Sequence, residues 1–334
     1  GLPVPVWAIN PKSIKSIKVN EMAPSMNNNN IQKIVQCVWL VRYGLTEHAL
    51  VEDVGPYDSD IDPKEGMKHA KSIAQRIAKG YNFDSSSDII DVRETIPKVV
   101  YADPFMRTTH TGHIIAKELS SSSSCGNDNV QLRSEEGLWE WLIPSLLIEK
   151  STGIHTHPKS VNELKKIFDS TAGNNIIDEE YKSVNPYKEI MSSSSSYFPE
   201  SEKQLFKRCG HTLSRILELK KNDSDSHEQY ESICIVSHAP CNQAMAYYLA
   251  GDDKVATSPE ASTIVKPWPL GGITMFSRTI IIDNEKEGAM SGDSSSHIVG
   301  KWKCEFFGNT HHMPNEYKKG IAPWSLPSFD ETVL

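Results

Sequence analysis

The sequence predicts an α/β domain with a mostly parallel central sheet and helices on both faces. From residue 35 onward, short apolar runs alternate with amphipathic segments whose apolar residues recur at helical spacing. This alternation is typical of parallel strands connected by helices that cover both faces of the sheet. Near the C-terminus two strand-like runs follow each other without a helix between them, which indicates a hairpin at one edge.

The strands are predicted where short runs are rich in β-branched and aromatic residues and end at a polar residue or a proline. QCVWLV at 36–41 is the first such run, KVVYADP at 98–104 the second and SICIVSH at 232–238 the third. GGITMFSRTIIID at 271–283 and HIVGKWKCEFF at 297–307 are the two late runs. Five strands are therefore expected, and the first three are expected to be parallel.

The helices are predicted where apolar residues recur three or four positions apart. The first helix, over 62–80, has this spacing at Met67, Ala70, Ile73, Ala74 and Ile77. It is expected to stop at Gly80, because glycine is common just after the last helical turn. The other predicted helices cover 107–119, 200–221 and about 242–249.

One domain with tails is the predicted organisation. Residues 1–34 form an N-terminal arm, residues 35–312 the domain, and residues 313–334 a C-terminal tail. The serine-rich stretches of the chain are expected to be loops.

Composition excludes several classes of function. The 334 residues include 35 basic and 43 acidic side chains, a formal net charge of −8, which argues against a nucleic-acid partner or an anionic membrane surface. No run approaches the roughly 18 apolar residues of a membrane helix, so no membrane partner is expected. The six cysteines include no C-x-x-C pair, so a reduced, cytoplasmic protein is expected. No metal or cofactor is expected, because no ligand set with suitable spacing is visible.

Ionisable side chains follow the three parallel strands at or just past their C-terminal ends. They are Arg42, Arg107 and His238. Because parallel strands end at one edge of the sheet, these groups are expected to meet there. Guanidinium forks match phosphate oxygens, and a histidine can donate to the same group. Arg107 also stands near a helix start, which favours an anion, and Gly44 would allow close approach of the backbone.

The ordered motifs resemble those of the histidine phosphatase (phosphoglycerate mutase-like) superfamily. That superfamily has an apolar strand ending in Arg-His-Gly, then Ser-Pro-x-x-Arg before a helix, and a later strand ending in His. This chain has VWLVRYG, ADPFMRTTHTG and VSHAP in the same order. EEGLWEW, KPWPLGGITMFSR and GKWKCEFFGNTHH resemble the branch of the Sts proteins and ecdysteroid-phosphate phosphatase. The likeness extends over residues 37–312.

The resemblance implies a role for each matching position. Arg42, Arg107 and His238 would hold the phosphoryl oxygens, and Glu140 would be the acid that protonates the leaving alcohol. Thr46 stands where many members have threonine and the Sts branch has a second arginine, and Thr46 and Gly44 would also contribute to phosphate binding. The histidine that attacks phosphorus in the family is replaced by Tyr43. The resemblance to the Sts branch also implies that the segment from about 148 to 199 is an insertion that covers the site.

Tyrosine is a poor replacement for that histidine on physical grounds. A phenol has a pKa of about 10, so roughly one molecule in a thousand is ionised at pH 7, whereas imidazole has a pKa near 6.5. The phenol oxygen also reaches about 2 Å beyond the imidazole nitrogen, and misplacement by an ångström can cost about a hundredfold in rate. Two neighbouring arginines could lower the phenol pKa, and some enzymes use tyrosine as a nucleophile.

Four hypotheses remain at this stage. The first is a pseudophosphatase that binds a phosphorylated small molecule or a phosphoprotein without turning it over. The second is an altered phosphatase that uses Tyr43, His238 or a water. The third is a His-to-Tyr variant of an active enzyme, and the fourth is an interaction or scaffold subunit without chemistry. A homodimer is allowed in each case.

Overall fold

The computed structural model describes residues 31–47, 58–83, 91–122, 129–143, 159–169, 175–186, 188, 199–222, 232–251, 268–283 and 297–315. Within these residues seven strands form one sheet in the order β3-β2-β4-β1-β5-β6, and β7 also pairs with β5. The strands are β1 (Ile31–Arg42), β2 (Val99–Ala102), β3 (Gln131–Ser134), β4 (Ile233–Ser237), β5 (Ile273–Asp283), β6 (His297–Val299) and β7 (Lys303–Asn309).

The four strands β3, β2, β4 and β1 are parallel to one another. β5 runs antiparallel to β1, and β6 and β7 run antiparallel to β5. The ends of β1, β2 and β4 therefore lie at the same edge of the sheet. This confirms the predicted parallel core and the late antiparallel addition at one side.

Helices cover both faces of the sheet, as predicted. They are α1 (Glu65–Ala78), α2 (Met106–Ser121), α3 (Val161–Phe168), α4 (Glu202–Asn222) and α5 (Ala239–Ala250). Apolar residues of α1, α2 and α3 belong to one buried cluster, and those of α4 and α5 belong to another. The α/β class with a helix layer on each face is therefore observed.

The central strand β1 shows why the sheet is buried on both sides. Trp39 and Val41 lie in the first cluster, Val38 and Leu40 in the second, and all four are fully buried. Successive side chains of a strand point to opposite faces, so a strand between two helix layers must be apolar at every position. The uninterrupted run VWLV meets that requirement.

Several elements differ from the prediction. The short strand β3 and the helix α3 were not predicted, and β1 starts at Ile31 because its first half pairs with β5. The last predicted strand is divided into β6 and β7, with Gly300 between them. α5 begins at Ala239 rather than near 242, because Pro240 is accommodated in its first turn.

The predicted domain boundaries stay predictions, because residues 1–30, 144–158 and 316–334 lie outside the described residues. Across the described helices, none combines the length and the apolar character needed to span a membrane. Cys37, Cys209, Cys234, Cys241 and Cys304 carry free thiols.

Candidate functional site

Five side chains predicted to act together lie at the C-terminal edge of the parallel strands. Arg42 is the last residue of β1 and Tyr43 follows it, Arg107 is the second residue of α2, and His238 follows β4 directly as the N-cap of α5. Glu140 lies in the loop after the 3-10 turn Glu136–Leu138. We refer to Arg42, Tyr43, Arg107, Glu140 and His238 as the strand-end cluster.

The Glu140 carboxylate connects the two cationic groups at the centre of the cluster. Its Oε2 lies 2.6 Å from His238 Nδ1 and 3.7 Å from Arg107 Nη2. Arg107 Nη2 and His238 Nδ1 are 3.4 Å apart. All three side chains are buried. The structure thus brings together three of the predicted residues in direct contact, with a carboxylate oxygen facing both cations.

Asp103 is a fourth charged group in contact with His238, and the sequence analysis assigned it no role. Its Oδ2 lies 3.1 Å from His238 Nε2, without the alignment that a hydrogen bond needs. Its Oδ1 accepts hydrogen bonds from the Phe105 N–H at 3.0 Å and from the Thr108 hydroxyl at 2.7 Å. An aspartate followed by such partners is a helix-start signal. That signal could have indicated its place beside α2, but not its contact with His238.

The charges of these groups are set by their mutual contacts. Burial alone would lower the pKa of His238, but the Glu140 and Asp103 carboxylates raise it to about 9. Burial would raise the pKa of Glu140, but His238 and Arg107 lower it to about 2. At neutral pH the pair is therefore an imidazolium and a carboxylate. Arg42, Arg107 and the His238 imidazolium carry three positive charges, and Glu140 and Asp103 carry two negative charges. The five side chains therefore have a net charge of +1, which favours an anion.

The Tyr43 ring lies between the cations of the cluster. The Arg107 Cζ is 5.1 Å and the Arg42 Cζ 5.7 Å from its ring centroid. The His238 ring meets it edge-on, with centroids 5.3 Å apart and an interplanar angle of 68°. Burial would raise the pKa of Tyr43, but Arg107, Arg42 and His238 lower it overall. The phenol is therefore part of the cluster, and its ionised form is stabilised by the surrounding cations.

Arg42 is the second guanidinium of the cluster and is held by a backbone carbonyl. Its Nη1 donates a hydrogen bond to the carbonyl of Trp268, which is itself buried. Its Nε is buried and has no hydrogen-bond partner among the described residues. A buried N–H without a partner is costly, so this guanidinium has a donor ready for an additional acceptor.

Two amides at the start of α2 donate to protein carboxylates. The Phe105 N–H is bonded to Asp103, and the Met106 N–H donates to Asp58 Oδ1 at 2.6 Å. Lys159 forms an ion pair with the other oxygen of Asp58. These two N–H groups at the start of α2 are thus already hydrogen-bonded to side chains of the protein. Anion binding at the cluster would depend mainly on guanidinium and imidazolium groups.

Gly44 and Thr46 were predicted to bind phosphate, and those roles stay predictions. The Gly44 N–H donates to Thr111 Oγ1 at 3.2 Å. A Cβ on Gly44 would lie 2.9 Å from the carbonyl oxygen of Gly66, so helix packing by itself requires a glycine here. Thr46 forms an isolated antiparallel bridge with Ile61.

No protein-family model matches the chain, and no curated protein sequence matches it. A mutant phosphoserine phosphatase from Entamoeba histolytica, in complex with phosphoserine, is 19% identical with a TM-score of 0.42, covering 84% of this chain and 100% of its own. A mycobacterial glucosyl-3-phosphoglycerate phosphatase with VO3 is 13% identical with a TM-score of 0.45, covering 82% and 100%.

Ecdysone phosphate phosphatase from Bombyx mori, in complex with tungstate, is 16% identical with a TM-score of 0.43, covering 72% of this chain and 88% of its own. The three solved structures are phosphatases by name. At identities below 25% and TM-scores below 0.5, these similarities do not decide the activity of this chain.

Proposed function

We propose that the strand-end cluster binds the phosphoryl group of a phosphorylated small molecule or phosphoprotein. We further propose that the chain hydrolyses such a ligand slowly or not at all. The observation that carries the proposal is the contact of Arg107 and His238 with one carboxylate oxygen of Glu140, beside the ring of Tyr43. A carboxylate oxygen in that position is bound by the same donors that a phosphate oxygen would need.

Ligand binding would proceed by exchange of one anion for another. A phosphate oxygen would take the place of Glu140 Oε2 between Arg107 and His238, and Arg42 would contribute its free Nε–H. Glu140 would then lose the contacts that lower its pKa and would face an added negative charge, so its pKa would rise. The carboxyl group could then carry the proton that an acid needs.

The impaired turnover follows from the resemblance of VWLVRYG to the superfamily's nucleophile strand. In that alignment Tyr43 replaces the histidine that forms the phosphorus bond. An unperturbed phenol is mostly un-ionised at neutral pH. Arg107, Arg42 and His238 lower the pKa of Tyr43, but its oxygen reaches about 2 Å beyond the imidazole nitrogen that it replaces, which misplaces it for attack on phosphorus. Loss of a nucleophile commonly costs on the order of four to six orders of magnitude in rate.

Tungstate titration tests the binding half of the proposal. The unchanged chain is expected to bind tungstate, and Arg107→Ala is expected to weaken binding about ten- to a hundredfold, because a charged hydrogen-bond donor is lost. Arg93→Ala is the matched control, since Arg93 is exposed on the surface and pairs with Asp91. If the unchanged chain has no affinity for tungstate, the proposal is wrong and a scaffold role gains support.

Turnover of an aryl phosphate tests the catalytic half. We expect negligible hydrolysis by the unchanged chain and a gain of at least about a hundredfold in Tyr43→His. Equal and substantial rates in the two proteins would contradict impaired turnover. Inactivity of a folded, tungstate-binding Tyr43→His variant would contradict the idea that Tyr43 alone limits the chemistry.

The second candidate is an active phosphatase in which Tyr43 is the nucleophile. The lowered pKa of Tyr43 favours it, because more of the phenol is ionised beside Arg107 and Arg42. The phenolate oxygen would form the bond to phosphorus while the bond to the leaving oxygen breaks, and that oxygen would take the proton of the Glu140 carboxyl. Water would then release phosphate from Tyr43. A phosphorylated Tyr43 trapped by acid quench and found by mass spectrometry would support this candidate over the first.

A further inference from the structure

Arg208 has all five of its guanidinium N–H groups hydrogen-bonded in the protein interior. Its Nε and Nη2 donate to the two oxygens of Glu200 at 2.8 and 2.7 Å. Its Nη1 donates to the carbonyls of Gly137 and Trp139 at 3.0 and 2.9 Å, and Nη2 also donates to the carbonyl of Glu140 at 3.3 Å. The side chains of Arg208 and Glu200 are both fully buried. One side chain of α4 thus holds three carbonyls of the Glu140 loop.

Glu200 holds the same loop on the far side of Glu140. Its Oε2 accepts from the Leu142 N–H at 3.1 Å, and its own N–H donates to the Leu142 carbonyl at 2.7 Å. Its carbonyl accepts from the indole of Trp141 at 2.8 Å. The Ser237 hydroxyl, at the end of β4, donates to the Leu138 carbonyl at 3.0 Å. The backbone before and after Glu140 is therefore fixed to α4 and to the strand that ends at His238.

We infer that Arg208 and Glu200 are a positioning pair, which holds the Glu140 loop so that the Glu140 carboxylate faces His238 and Arg107. The inference rests on the proposed anion site and goes beyond it. The hydrogen bond from Arg208 to the strand-end cluster goes to the backbone carbonyl of Glu140 and not to its carboxylate. Its effect on the site would therefore be transmitted through the loop.

The chemistry of arginine suits this task. A planar guanidinium offers five donors in fixed directions, so it can bind a carboxylate bidentately and several carbonyls at once. A lysine keeps the charge but has a single compact ammonium group, so it cannot satisfy the same five acceptors. A buried ion pair of this kind contributes little to stability compared with apolar residues of similar volume. A role in positioning the loop is thus a better account of the pair than stability alone.

The test compares Arg208→Lys with Arg215→Lys, the same substitution seven residues further along α4 at an exposed position. The first readout is the pKa of His238 in the free, folded protein by NMR, with the resonance identified by its loss in His238→Asn. The second is tungstate affinity. In Arg208→Lys we expect the pKa of His238 to fall and tungstate to bind at least about tenfold more weakly, because a displaced Glu140 no longer keeps His238 protonated to bind the anion. Arg215→Lys should change neither.

A structural role alone would give a different result. A folded Arg208→Lys protein with a lower melting temperature but an unchanged His238 pKa and unchanged tungstate affinity would overturn the inference. If Arg208→Lys does not fold, Glu200→Gln tests the same pair, because an amide has one oxygen only and cannot accept from both Nε and Nη2 of Arg208. A smaller fall in the pKa of His238 is expected there, and no change would overturn the inference.

The two proposals fail in distinguishable ways. If the unchanged chain does not bind tungstate, the proposed function is wrong, but the pKa of His238 in the free protein still decides whether Arg208 and Glu200 position Glu140. In another outcome, tungstate binds and Arg107→Ala weakens its binding, but Arg208→Lys changes neither the pKa of His238 nor tungstate affinity. The proposed anion site is then supported, and the positioning role of Arg208 and Glu200 is wrong.

Discussion

His238 has a carboxylate near each ring nitrogen, Glu140 at Nδ1 and Asp103 at Nε2. The two carboxylates keep the imidazole protonated near neutral pH, which prepares it to bind an anion. The Glu140 contact also occupies the Nδ1–H donor, whereas the Nε2–H has no aligned partner among the described residues. An incoming anion therefore has to displace Glu140, and the affinity of the site reflects the difference between the two interactions rather than the strength of either.

At the residue scale, Glu140→Gln is expected to lower the pKa of His238 from about 9 towards its ordinary value. An amide carries no charge, so one of the two carboxylates that stabilise the imidazolium is lost. The pKa is measured by NMR titration of the folded protein. Glu179→Gln is the control, because Glu179 pairs with Lys165 at an exposed position. An unchanged pKa in Glu140→Gln would contradict the observed ion pair.

At the element scale, the loop that carries Glu140 packs closely against α4 at Gly137. A Cβ on Gly137 would meet Thr212 Oγ1 and would lie 2.7 Å from the Asn185 Cβ. Gly137→Ala is therefore expected to destabilise the protein by about 1–3 kcal/mol, because the overpacked loop must move. Denaturant unfolding measures the loss, and tungstate titration should show weaker binding as Glu140 shifts.

Gly210→Ala is the matched control for that substitution. It adds the same methyl group within α4, where the nearest atom would be Tyr248 Cδ2 at 3.1 Å. Tyr248 is 41% exposed, so its ring can move, and alanine is favoured over glycine inside a helix. Stability is expected to stay the same or to rise. Equal losses in the two variants would contradict a specific constraint at Gly137.

The elements with a strong local pattern could be predicted, and those defined by distant pairing could not. The helices α1, α2 and α4 show apolar periodicity over several turns, and β4 is a short apolar run. β3 is only four residues long, with the sequence QLRS, and exists because it pairs in register with β2. α3 lies in the segment from about 148 to 199, where the sequence predicted only a covering insertion.

The same distinction applies to the site. Arg42, Arg107 and His238 follow parallel strands, so a general rule for α/β sheets predicts that they meet. Nothing local marks Arg208 and Glu200, because an arginine on an amphipathic helix is normally a solvated residue. Their burial depends on the Glu140 loop, which packs over them only in the complete fold.

At the scale of the whole molecule, the buried ion pair predicts how stability depends on pH. His238 has its pKa raised from 6.5 to about 9, so its contribution is complete below 6.5 and is lost as the pH rises through about 9. Glu140 has its pKa lowered from 4.5 to about 2, so its contribution is complete above 4.5 and is lost as the pH falls through about 2. The contact between Glu140 and His238 contributes to both shifts and is counted once.

The unchanged chain and Glu140→Gln should therefore differ most in free energy of unfolding between about pH 4.5 and 6.5. The difference there is expected to be on the order of 3 kcal/mol, because one partner of a buried pair is removed. It should shrink towards pH 3 and towards pH 9. Urea unfolding of both proteins over this range measures it, and a difference independent of pH would contradict the assignment of charges.

The position of β1 in the sheet has a consequence for how the protein acquires its fold. β1 is the first described strand in the chain, yet its two neighbours are β4 and β5, and Val38 pairs with Ile233. During synthesis both edges of this apolar strand must wait for partners made much later, almost two hundred residues on for β4 and more than 230 residues on for β5. Such distant pairing slows folding and leaves unpaired edges exposed to other chains meanwhile. This protein is therefore most prone to aggregation after β1 has been synthesised and before β4 and β5 are available to pair with it.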